Sequence, residues 1–212
     1  MSEYRYRVAN DPLATLSSAR DQIKVELSSF LSEQSKYLDG IGSELAPVSS
    51  AFSSFLLDGG KRLRPLFAYT GLVGAGITPT PEFIRAITSL ELLQACALIH
   101  DDLMDASDTR RGKPAIHRHF ENLHKSDAGS GSAEQFGAAS AILLGDLALV
   151  YADRMLHESG ISKDSLISSL HVYDEMRIEL MAGQYLDVYE QTRGTHTVAR
   201  ALTIARYKSA KY

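Results

Sequence analysis

The sequence has a single cysteine, Cys96, so no disulfide framework can staple it. A reducing compartment is expected. It also lacks an excess of positive charge: 22 Lys and Arg stand against 26 Asp and Glu, for a net charge of −4. That leaves no electrostatic footprint for nucleic acid or an anionic membrane, so neither is expected as a partner. No unbroken apolar run approaches the ~20 residues that cross a bilayer, and no transmembrane segment is expected. The first ten residues are polar and aromatic, unlike a signal peptide. By elimination, the expected location is cytoplasmic. Alternating apolar and polar runs bounded by turns are missing too, which excludes a β-rich fold and leaves an all-α reading.

What is present is helical patterning over 212 residues, enough for one substantial core, and a single domain over 1–212 is expected. Asp11-Pro12 opens a first helix, with Asp as N-cap and Pro in the first turn, running to about Leu38 and closing at Asp39-Gly40. A second spans roughly Ser43 to Leu57, ending at Asp58-Gly59-Gly60. A third opens near Arg64-Pro65 and fades at Gly74-Ala75-Gly76, and a fourth starts about Thr80-Pro81. From Ala106 to Ala133 the pattern breaks, with Ser126 to Ser132 reading as a surface loop. Helices resume over Gln135–Ser159, where Gly145-Asp146 is expected to break or bend the helix, then over Lys163–Glu190 and from about Thr195.

The fourth helix carries the chemistry. Its apolar run ends in Asp101-Asp102-Leu103-Met104-Asp105, three carboxylates within five residues. At 100° per residue, Asp101 and Asp105 share a helix face, one turn apart, with Asp102 beside them. Like charges so placed repel, and helix propensity gives no reason to gather them. Carboxylate oxygens are hard ligands suited to Mg²⁺ or Mn²⁺, and Mg²⁺ keeps coordination places for water and phosphate oxygens. Asp101, Asp102 and Asp105 are therefore candidate metal ligands. The glycine turn and distal Glu of a calcium EF-hand are not there.

Two basic clusters complement the acids. In Gly59-Gly60-Lys61-Arg62-Leu63-Arg64-Pro65, two glycines let the backbone approach an anion, and three cations follow at a helix start. In Arg110-Arg111-Gly112-Lys113-Pro114, cations follow the acidic helix end closely enough to balance a metal-bound diphosphate; read alone, the segment is also an ordinary polar turn. Gln184 and Asp187 share a helix face, and Lys208-Ser209 offers a cation and a hydroxyl. His117 and His119 lack the spacing and the cysteines of a zinc site.

Taken together and in this order, these motifs resemble the trans-isoprenyl diphosphate synthases, or polyprenyl synthetases, over essentially everything after Ala46. The resemblance implies an all-α, multi-helix isoprenoid synthase bundle around a central cavity, a homodimer, and head-to-tail joining of an allylic diphosphate to isopentenyl diphosphate. It also implies roles. Asp101, Asp102 and Asp105 form the first Asp-rich motif, whose first and last members hold Mg²⁺ against the allylic diphosphate. Arg110 contacts that diphosphate, while Arg111, Lys61, Arg64 and Gln94 serve isopentenyl diphosphate. Lys208, Ser209 and Gln184 face the allylic substrate. Leu93, Cys96 and Ala97, below the acidic motif, set product length; Cys96 and Ala97 are small, which implies geranylgeranyl diphosphate or longer.

The family's second Asp-rich motif, downstream of the Lys208 position, has no counterpart in this sequence. The chain is thus expected to be the N-terminal part of a longer protein, inactive alone. A terpene cyclase would not need Lys61, Arg64 and Arg111, whereas a non-catalytic partner subunit could dispense with the acidic motif that is intact here.

Overall fold

The computed structural model describes residues 12–193 and 197–212. They divide into two compact units, one running to Leu103 and resuming over Ser107–Gly160, the other combining Met104–Ala106 with Ile161–Tyr212. The architecture is an all-α, multi-helix bundle; among the described residues the only sheet is one short hairpin.

In the first unit, helix α1 (Pro12–Ile41) buries Ala19, Ile23, Leu27, Phe30 and Leu38, a stripe at helical spacing that faces the core. A 3₁₀ turn over Ser43–Leu45 leads into α2 (Ala46–Leu57), followed by α3 (Leu63–Gly74) and α4 (Pro81–Met104). Then come the hairpin β1 (Thr109–Arg110) and β2 (Lys113–Pro114), α5 (Ile116–Ser126) and α6 (Ala133–His157). Phe30 of α1 meets Tyr151 of α6 edge-on, with ring centroids 5.6 Å apart. Polar ties reinforce the packing: Arg85 of α4 pairs with Glu26 of α1 at 2.6 Å, and Arg154 of α6 donates to Gln34 of α1. Burying side chains such as Leu92, Leu93, Ile99 and Met155 contributes about 1.5–3 kcal/mol apiece.

Three expectations are corrected here. Residues 106–133 are not structureless, because Ile116 and Phe120, four apart, bury the inner face of α5 against α6. The hairpin was invisible to a search for alternation, since each strand is only two residues long. Helix α6 runs unbroken through Gly145, which gives close approach instead of a bend: a Cβ there would lie 2.6 Å from Cε1 of His100. α4 and α6 are also each long and apolar enough to cross a membrane by length and composition, although Glu91 lies within the apolar stretch of α4 and Asp146 within that of α6. Of these apolar stretches, 61% is buried in α4 and 44% in α6.

In the second unit, α7 (Lys163–Gln191) and α8 (Val198–Ala205) are capped by Ser162 and Thr197, whose hydroxyls accept from Ser165 N and Arg200 N at 3.2 Å. A π-helical turn over Arg206–Ala210 continues α8. Asp11 and Thr195, expected near helix starts, lie outside the described residues.

Candidate active site

The glycine–basic segment is organised by backbone conformations that ordinary residues avoid. Gly59 and Gly60 both have φ +94°, and Arg62 follows in the left-handed region at φ +54°. That geometry splits the three cations. Lys61 is exposed and Arg64 half-buried, but Arg62 turns inward to form a 2.5 Å ion pair with Glu91 of α4. Its other terminal nitrogen donates to the Leu56 carbonyl at the end of α2.

The hairpin presents the second pair of arginines. Its two turn residues, Arg111 and Gly112, have φ +53° and +77°, the signature of a type I′ turn matched to the twist of paired strands. Arg110, on the strand, bonds both carboxylate oxygens of Asp102 through Nε at 3.0 Å and approaches Asp101 at 4.0 Å. Arg111, in the turn, donates to the Phe55 carbonyl at 3.2 Å and lies over the Phe55 ring. There it meets the first basic segment: a Cβ on Gly60 would be 3.5 Å from Nη2 of Arg111 and 3.3 Å from Nη1 of Arg62. Arg62 and Arg111, 49 residues apart in sequence, thus pack on one glycine. Beside them, Lys113 pairs with Asp58 at 2.6 Å, and Asp58 and Arg111 help to line a cleft of about 240 Å³. The Lys113 ammonium and Ser54 hydroxyl hold the Asp58 carboxyl below its ordinary pKa.

The acidic residues have distinct surroundings. Asp102 is buried at 1% exposure and engaged by Arg110, so it anchors the hairpin to α4. Asp101 is partly exposed. Asp105 is not on the helix, which ends at Met104; it sits exposed in the following turn, where Gln191 approaches it at 3.4 Å. The helix closes just beyond it, where Ala106 takes φ +50° and the Ser107 amide donates to the Asp102 carbonyl at 2.8 Å. Among the described residues no three His, Cys, Asp or Glu side chains converge as a metal cage. The donor chemistry still fits Mg²⁺, which takes one or two carboxylates and completes its shell with water and phosphate. Asp101 and Asp105 are the members that solvent reaches.

Along α4, Leu90, Gln94, Ala97, Leu98 and Asp101 are partly exposed at helical spacing. Gln94 Oε1 is itself buried and accepts no hydrogen bond among the described residues. Leu93 and Cys96, expected beside Ala97, are buried off that face at 1% and 6% exposure. The Cys96 thiol instead meets His100 Nδ1 at 3.8 Å. His100 Nε2 lies 3.2 Å from the Ile142 carbonyl, which can only accept, so Nε2 donates there. Burial pushes the Cys96 pKa up to about 11, with a smaller contribution from Asp146. His117 is buried on α5, and burial holds its pKa down.

In the second unit, Lys208 in the π turn pairs with Asp187 of α7 at 2.6 Å. Gly183 makes this approach possible, since a Cβ there would lie 2.6 Å from Tyr207 C and 2.9 Å from Lys208 Cα. Gln184 is partly exposed on α7 beside that glycine, and Ser209 is exposed. Sequence reasoning missed Glu91 and His100, whose partners are remote in the chain.

A helical chain whose acidic helix end is clasped by a guanidinium hairpin, beside a glycine-flanked basic loop, has the isoprenoid synthase type of fold. The chain belongs to the polyprenyl synthetase family, which matches residues 46–212. It superposes with a TM-score of 0.89 and 38% identity on a geranylgeranyl pyrophosphate synthase from Corynebacterium glutamicum, crystallised with isoprenyl diphosphate and magnesium, covering 93% of this chain and 57% of that one. It is 30% identical over 188 residues to the geranylgeranyl diphosphate synthase of Methanosarcina mazei, covering 85% of this chain and 52% of that protein. The geranylfarnesyl diphosphate synthase of Natronomonas pharaonis is 29% identical over 205 residues, 87% of this chain and 55% of that protein. The chain thus spans little more than half the length of these relatives.

Proposed function

We propose that this chain supplies the diphosphate-binding part of a prenyltransferase that joins an allylic diphosphate to isopentenyl diphosphate. The observation that carries this reading is the packing of Arg62 and Arg111 on Gly60, next to Lys61 in the chain, together with the Arg110–Asp102 pair at the end of α4. In the reading, Asp101 and Asp105 hold Mg²⁺, which, when bound, supplies charge neutralisation to the leaving diphosphate. Arg110, locked by Asp102, orients toward the allylic diphosphate, with Lys208, Ser209 and Gln184 facing the same substrate. Lys61, Arg64, Arg111 and Gln94 hold isopentenyl diphosphate, whose charge matches the cations and whose oxygens a Gln94 amide can meet. The allylic C–O bond breaks with its electron pair leaving on diphosphate. The isopentenyl double bond attacks the resulting cation, and a proton is then lost to the departed diphosphate.

The product in this reading is geranylgeranyl diphosphate or longer. The support is that Ala97, small and on the partly exposed face of α4, leaves the turn below Asp101 open. In this reading the working form is a cytoplasmic homodimer. The test is Asp101→Ala and, separately, Asp105→Ala in the full-length protein. Each is expected to lower Mg²⁺-dependent turnover by about 10²-fold or more, with radiolabelled isopentenyl diphosphate as the reporter. Turnover that barely changes in either variant would count against the metal assignment.

A further inference from the structure

Arg62 stands apart from the cations around it. Lys61 is exposed and Arg64 partly so, but Arg62 is buried at 5% exposure, and its partner Glu91 at 7%. Its φ of +54° is a conformation that a long side chain keeps only where the surroundings hold it. Two contacts hold it here. Nη1 donates to Glu91 in the middle of α4, and Nη2 donates to the Leu56 carbonyl in the last turn of α2. One guanidinium thus bolts the loop between two helices, immediately after Lys61 and two residues before Arg64.

The point of attachment on α4 is informative. Glu91 lies one helical turn from Gln94, whose Oε1 is buried and accepts no hydrogen bond among the described residues. Gly60 receives both Arg62 and Arg111 where a side chain would otherwise stand. The clamp therefore fixes the loop one helical turn from Gln94, with Arg62 and Arg111 packed against the same side of the glycine. Stability alone does not explain a buried ion pair, because an apolar pair of similar volume is often as stable or more so. Direction is what an ion pair with a second bond to a carbonyl adds.

We propose that the Arg62–Glu91 pair is a positioning device for the isopentenyl diphosphate subsite, fixing Lys61 and Arg64 opposite Gln94 without touching substrate. The proposal rests on the functional reading above. Its test is steady-state kinetics of the full-length protein carrying Glu91→Gln, and of the double variant Arg62→Met with Glu91→Leu, alongside Lys61→Ala. Both clamp variants are expected to raise KM for isopentenyl diphosphate about 10- to 100-fold, while KM for the allylic diphosphate stays within about twofold. The apolar double variant removes the orientation without leaving a buried unpaired charge, so it is expected to melt close to the parent. Equal rises in both KM values would overturn the proposal in favour of a merely structural role. An unchanged isopentenyl KM in the double variant, while Lys61→Ala raises it, would also overturn the proposal and leave the subsite intact. If Lys61→Ala leaves that KM unchanged as well, the functional reading of this loop falls and takes the clamp with it.

Discussion

The close passage of α7 under the π turn makes Gly183→Ala the most informative single substitution in the second unit. A Cβ at 183 would collide with Lys208 N and stand 2.6 Å from Tyr207 C, whereas ordinary contact begins near 3.4 Å, so the two backbones must part by at least ~0.8 Å. The obstructing atoms are main chain, which cannot swing aside as a side-chain tip can. The displaced turn carries Lys208 and Ser209, and the shift would lengthen the 2.6 Å Lys208–Asp187 pair. Overpacking of this kind costs about 1–3 kcal/mol, or about 2–12 °C in Tm for a domain of this size. A misplacement near 1 Å in a substrate-orienting group costs about 10²-fold in rate. The expected result in the full-length protein is a drop in kcat/KM for the allylic diphosphate of about 10²-fold with a measurable fall in Tm. The control is Gly71→Ala in α3, where an added Cβ meets nothing within 4 Å, so removing a helical glycine is expected to raise stability by about 0.5–1 kcal/mol. A Gly183→Ala protein with parental Tm and parental kinetics would refute the argument from close approach.

Replacing Ala97 with Phe is expected to fill the open turn below Asp101 and shift products to about farnesyl length or shorter, read by chromatography of the dephosphorylated products. An unchanged product distribution in an active variant would show that this face does not line the path of the growing chain. Cys96 is expected to resist iodoacetamide at pH 8 until the protein unfolds, because its pKa of about 11 leaves almost no thiolate. The same shift has a stability consequence: between the ordinary pKa of 9.0 and 11 the unfolded chain releases this proton first, so the contribution is intact below pH 9 and declines as pH rises to 11. Denaturant titrations of the parent and Cys96→Ala across that window would reveal it as a loss of stability confined to the parent. Residues 1–212 alone are expected to condense the two diphosphates far more slowly than a longer protein carrying a second Asp-rich motif; comparable rates in a side-by-side labelled assay would show that the motif is dispensable.

The elements legible in the sequence are those whose evidence is local. Helix α4 announced itself by its apolar run and its Pro81 start, α3 by the Arg64-Pro65 opening, and α7 by a periodicity that matched its observed Lys163 start. The acidic motif and both basic segments were readable because each is contiguous. Helix α5 was lost because it is polar almost throughout, its inward side resting on Ile116, His117 and Phe120. A short helix of this kind is stabilised mainly by the neighbour it packs against. Here that neighbour is α6, approached so closely at Gly137 that a Cβ there would collide with the His117 carbonyl and lie 3.1 Å from Glu121 Cβ.

The candidate site shows the same divide more sharply. Composition presents Lys61, Arg62 and Arg64 as three equivalent cations, yet one left-handed residue separates a buried clamp from its exposed neighbour. Nothing within the segment could reveal this, because Glu91 is 29 residues away and lies in a helix read as an apolar run. Likewise Asp102 looks identical to Asp101 until the hairpin folds back and Arg110 takes both its oxygens, leaving the neighbouring acid as the one that solvent reaches. In each case the sequence shows which charges are present, while a partner brought in by the fold determines which of them are internal struts. A strut of this sort spends its charge on its partner, and what remains on the solvent side beside the two struts is Lys61, exposed, and Asp101, partly exposed.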